Sequence, residues 1–120
     1  MKKIVFIILV SLFSIVSSQN ATGSTCSDLW EAGLEYEKMT NGLRYKIDMS
    51  SYFLGFTDSA ATMTNYLWKA VMKRKGLPEE AQLNQLALIY IKYLKENPEK
   101  HHESSMTCFM DAMSSAFPQW

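Results

Sequence analysis

The sequence predicts an all-α protein: a compact bundle of four to five helices closed by one disulfide. Three observations carry that expectation. Apolar residues recur at mixed spacings of three and four, and no segment shows the strict alternation of a half-buried strand. Breaker signals (Asn41-Gly42, Gly76-Leu77-Pro78, Asn97-Pro98 and Pro118) fall between those periodic runs rather than inside them. Two cysteines, Cys26 and Cys108, stand near the two ends of the helical region.

Ahead of the bundle, Met1-Lys2-Lys3 precedes an apolar run from Ile4 to Val16. A short cationic segment before about a dozen apolar residues is the pattern of a secretory signal peptide. Val16-Ser17-Ser18 offers small side chains for cleavage after Ser18. A membrane anchor would need roughly 20 apolar residues, more than this run supplies. Cys26 lies too far beyond the run to serve as a lipoprotein cysteine. The expected organisation is a signal peptide over residues 1–18, a small polar leader over 19–26 and one helical domain over 27–120. Asn20-Ala21-Thr22 matches a glycosylation acceptor, but the very short n-region looks bacterial, where the match is accidental.

Thr25 and Asp28, three apart, resemble a capping box with Asp in place of Glu, opening a helix over 27–39. Its apolar residues are Leu29, Trp30, Leu34 and Tyr36. The stretch 45–75 follows, almost free of breakers, with Ile47, Met49, Phe53, Phe56, Ala60, Met63, Trp68 and Met72 among its apolar positions. It reads as one long helix, kinked or divided around residues 55–57. Lys73-Arg74-Lys75 suits the negative end of a helix dipole, and Gly76 suits the C′ position. Leu77-Pro78-Glu79-Glu80 then reads as the opening of a third helix, with Leu83, Leu86, Ala87, Tyr90 and Leu94 as its core stripe. Asn97 is read as the N-cap of a last helix over 98–117, with Met106, Phe109, Met110 and Met113 along one face.

Without Lys2 and Lys3 the chain carries ten basic residues against twelve acidic ones. Such a balance argues against nucleic acid or an anionic lipid surface as partner, because both require clustered cations. After signal cleavage no segment calls for a membrane. In an oxidising compartment a lone cysteine pair usually bridges, so Cys26–Cys108 is the expected disulfide; two buried thiols are the competing reading.

Candidate chemistry is sparse. His101-His102-Glu103 invites a metal reading, but adjacent helical residues point about 100° apart and cannot share one ion, and no third ligand is near. Met106, Met110 and Met113 sit at core spacing rather than in a copper site. No G-x-S-x-G turn is present. Cys108 with His101 or His102 would make a thiol pair only if the disulfide were absent. Asp58 is a lone carboxylate in an apolar stretch, read as a satisfied helix-face group. No catalytic, metal or cofactor site is expected, and an enzyme is not the reading.

Two stretches resemble a known family. Tyr52-Phe53-Leu54-Gly55-Phe56-Thr57-Asp58-Ser59-Ala60 is similar to the G-Y-x-x-G-x-x-D-A-type segment of the Rap/Tai type VI secretion immunity proteins. Leu77-Pro78, Gln85-Leu86, Lys92-Tyr93-Leu94, Asn97-Pro98-Glu99, His101 or His102, and Ala116-Phe117-Pro118 follow the order of that family's second half. The cysteines common in that family are here Gly76 or Leu77, Gln119, and Ser50 or Ser51, so the Cys26–Cys108 pairing is not carried over from it. The resemblance implies a periplasmic immunity protein that occludes a cysteine amidase effector acting on peptidoglycan, in a family whose members are often homodimers. A loop entering the amidase groove is then expected, and Lys75, Glu79 and Glu80 in the most polar connection are the candidate contacts. The alternative is a periplasmic stress chaperone.

Overall fold

The computed structural model describes residues 25–118. The expected signal peptide, its cleavage after Ser18, the Asn20 acceptor, the leader up to residue 24, and Gln119 and Trp120 lie outside the described residues.

Four α-helices build the domain: α1 (Cys26–Thr40), α2 (Ile47–Tyr66), α3 (Leu83–Glu96) and α4 (Ser105–Ala116). Among the described residues there is no strand, and every pair of helices is in contact. The all-α expectation and its disulfide both hold. Cys26 is joined to Cys108 with Cα atoms 6.3 Å apart. The disulfide ties the first residue of α1 to α4. The same junction is held by backbone bonds from Cys26 N to Glu103 O and from Ser27 N to His101 O, each 2.9 Å.

α1 opens with the capping box read from Thr25 and Asp28: the Thr25 side chain accepts from Asp28 N, and the Asp28 carboxylate accepts from Thr25 N. It ends at Asn41, followed by Gly42 in the left-handed region at φ 70°. The core is an aromatic stack. Phe53 lies between Tyr36 and Tyr90, at 5.6 and 5.8 Å between ring centroids, and Phe109 meets Tyr90 edge-on at 5.3 Å. Offset and edge-to-face rings at such distances stabilise beyond their buried area. The buried Tyr90 hydroxyl donates to Ser105 O at 2.8 Å, and burial pushes its acidity constant up. Gly33 lets α1 approach closely: a Cβ there would stand 3.1 Å from both Ile91 Cγ1 and Phe53 Cε2.

Several boundaries differ from the sequence reading. α2 runs unbroken through Gly55, because one exposed glycine costs about 1 kcal/mol and does not break a long helix. Its irregularity comes later, in a π-helical turn over Leu67–Val71. Pro78, Glu79 and Glu80 do not open α3. They form a turn closed by Ala81 N donating to Pro78 O, and α3 starts after Gln82, whose side chain forms a capping box with Gln85. Pro98–Lys100 is a separate 3₁₀ turn, and α4 begins after Ser104, whose hydroxyl accepts from Thr107 N. Asn97 therefore does not cap the last helix; its Nδ2 donates backwards to Tyr93 O. Gly76 is not a left-handed C′ residue either, since Lys73 carries the positive φ, at 54°.

Candidate functional site

The connection from Met72 to Gln82 is the longest between two helices among the described residues, and its first half, through Leu77, is fastened to the bundle. At the first end, the π turn widens the helix so that Met72 N donates to Leu67 O. π turns of this kind are frequent at functional sites. Arg74 then doubles back: its guanidinium carbon lies 3.9 Å from the centroid of the Trp68 ring, and its Nη2 donates to Phe117 O at 3.1 Å. One side chain thus ties the end of α2, the loop and the end of α4. The cation over the indole face is attracted by the ring quadrupole.

Two residues on, Gly76 is buried against α2, and a Cβ there would collide with Asn65 Oδ1. That same Asn65 oxygen accepts from Leu77 N at 2.9 Å. The backbone can reach this side chain only because residue 76 lacks a Cβ. Lys75 lies between the Arg74 and Leu77 fastenings, Glu79 and Glu80 lie just beyond Leu77, and all three are exposed. Beside the loop lies a shallow apolar groove of about 490 Å³ lined by Pro78, Ala81, Gln85, Leu88, Ile89 and Phe117.

The other candidates are dispersed. His101 is half-buried beside Trp30 with its Nε2 2.7 Å from Leu94 O, in the turn before α4 and not on a helix. His102 is exposed. Both sulfurs are bonded to each other, which removes Cys108 from any pairing with those histidines. Met113 is buried, and Met106 and Met110 pack against the core. Asp58 is exposed on α2. Among the described residues, no three His, Cys, Asp or Glu side chains converge as a metal site. Glu35, a buried carboxylate that the sequence reading passed over, lies under the α1–α2 connection. Its Oε2 accepts from Lys38 Nζ at 2.8 Å and its Oε1 from Lys46 N at 2.9 Å. The Lys38 hydrogen bond, then the Lys46 amide, hold its acidity constant below the ordinary 4.5. Sequence periodicity had no way to single it out, because its partners depend on how the connection folds back.

The outer face of α2 was also missed. Of the ten exposed large apolar side chains among the described residues, eight (Leu43, Tyr45, Ile47, Tyr52, Met63, Tyr66, Val71 and Met72) lie between residues 43 and 72, four of them on α2. A signal was present: the apolar positions of this segment were too many for one buried face.

No protein-family model matches the chain, and no match is found among curated proteins or solved structures.

Proposed function

We propose that this chain is an exported immunity protein that binds and blocks a type VI secretion cysteine amidase in the periplasm, protecting its own cell from peptidoglycan cleavage. The observation that carries the reading is the loop over 73–82, exposed at Lys75, Glu79 and Glu80 yet fastened at Trp68, Asn65 and Phe117. An inhibitor that enters a catalytic groove gains affinity when its inserting loop is already ordered, because less entropy is lost on binding. The bundle, closed through Cys26 and Cys108, holds that loop on a rigid base. The ordered motif series from Tyr52 to Pro118 supplies the partner class by resemblance.

The test is survival of cells carrying periplasm-targeted amidases, with and without this protein, across a panel of type VI cysteine amidases. Rescue from one amidase, with an inhibited complex in vitro, is the expected result. Lys75→Ala, Glu79→Ala and Glu80→Ala together should then weaken that complex by at least tenfold. Failure to rescue across the panel, with the protein folded and exported, overturns the amidase reading. Client protection that appears only on acidification would favour the stress-chaperone alternative instead.

A further inference from the structure

We infer that the α1–α2 connection and the residue after it, Leu43-Arg44-Tyr45-Lys46-Ile47, form a docking strip for an extended acidic segment of a partner protein. All five residues are exposed. Leu43, Tyr45 and Ile47 are large apolar side chains left 60, 36 and 66% accessible. Residues 43–46 form neither helix nor turn, and Lys46 lies in the extended region at φ −88° and ψ 112°. Apolar and basic residues alternate along the strip, and alternation along an extended chain sends the two kinds to opposite sides.

The strip is clamped at both ends. Gly42 turns the chain at φ 70°, and Leu43 N then donates to Lys38 O at 2.8 Å. At the far end Lys46 N donates to Glu35 Oε1 at 2.9 Å, while Lys38 Nζ holds the other carboxylate oxygen at 2.8 Å. Burying a carboxylate is costly unless it is paired and hydrogen-bonded. What these bonds secure at Glu35 is the course of an exposed segment.

What the clamps leave open defines the occupant. The amides of Arg44 and Tyr45, and the carbonyls of Leu43, Arg44 and Tyr45, make no hydrogen bond among the described residues. An added extended chain pairs with main-chain groups of this kind. Arg44 and Lys46 form no ion pair among the described residues either, and opposite charges facing each other across paired chains favour the pairing. A segment that alternates carboxylates with apolar side chains therefore meets the backbone, both cations and the apolar side together.

The neighbouring charges favour a narrow occupant over a broad anionic surface. Asp48 follows Ile47 directly, and it lines a shallow cleft with Asp28, Glu31, Met49 and Tyr52. A plane of lipid headgroups would press on those carboxylates as well as on Arg44 and Lys46. A single extended chain can follow the cations and pass the carboxylates by. The inference uses no residue of the loop over 73–82 and does not depend on the amidase reading.

Amide spectra of the disulfide-bonded protein, titrated with a capped octapeptide of alternating Glu and Val, test it. The peptide is taken to about 2 mM, which reaches millimolar dissociation constants. Saturable shifts confined to residues 41–48 are expected, with none from the Lys-Val counterpart. Arg44→Glu with Lys46→Glu should weaken binding by about tenfold or more while thermal unfolding is unchanged, since both side chains are exposed. N-methylation of alternate peptide amides should weaken it similarly. Absence of saturable shifts at 41–48, equal binding of the Lys-Val peptide, or indifference to the charge reversal or to N-methylation overturns the inference. Sedimentation with phosphatidylglycerol vesicles but not phosphatidylcholine vesicles, lost in the same variant, would assign the strip to lipid and overturn it too.

Discussion

Replacing Cys26 and Cys108 together with alanine removes a covalent link that spans 82 positions of the chain. The backbone bonds at the same junction, from Cys26 N and Ser27 N to the turn before α4, do not depend on the sulfurs. The folded geometry should therefore survive, and the loss should fall mainly on the unfolded chain. Closing a loop of that length lowers the entropy of the unfolded state by an amount worth about 4.5 kcal/mol at 25 °C in the chain-entropy model. Domains of this size have about 5–15 kcal/mol in total, so the variant should remain folded only narrowly. With a urea slope of about 1.5 kcal/mol per molar, the unfolding midpoint should drop by roughly 3 M. Circular dichroism and tyrosine or tryptophan fluorescence, followed through the same urea series, measure it. A drop below about 1 M at unchanged slope would refute the loop-closure reasoning and place the stabilisation in the backbone junction instead.

Three further outcomes can be checked on the protein alone. Glu35 has its acidity constant lowered in the fold, so its contribution is present above the unfolded value and is lost as pH falls through the folded one; Glu35→Gln should flatten the stability profile below about pH 4.5 in urea titrations run at successive pH values. Tyr90→Phe removes a buried hydroxyl and its bond to Ser105 O, and should cost about 1–2 kcal/mol by chemical denaturation; no loss would mean Ser105 O is satisfied without it. Gly76→Ala forces Asn65 away from the Leu77 amide, and should cost about 1–3 kcal/mol, with amide chemical shifts moving at residues 73–82 and not in α4.

How far the fold was legible depended on the kind of signal. The α1 cap was readable because Thr25 and Asp28 bond to each other, three residues apart, with no help from the rest of the chain. The start of α3 was misplaced because Pro78 with two following acids is a sound helix opening locally. The competing pull came from α2, whose Asn65 holds the Leu77 amide away from a helical course. Asn97 was misassigned for a similar reason: its side chain could serve the helix before or the helix after, and the Tyr93 carbonyl won. The loop carrying Lys75, Glu79 and Glu80 could be recognised as polar and exposed. Its fastening could not, since Arg74 reaches 43 positions ahead to Phe117.

Gly33, Gly55 and Gly76 separate what the bundle needs from what it does not. At Gly33 the reason lies inside the bundle, where Phe53 and Ile91 crowd the absent Cβ. At Gly76 it lies in the loop, where the Asn65 side chain fills that space. At Gly55 the described chain supplies no neighbour at all, on a helix whose stability alanine would improve. The same helix is the longest of the four, and its outward side carries Tyr52, Met63 and Tyr66 where a solvated face would carry charge. The described chain gives no packing reason for Gly55, whereas it gives one for each of the other two.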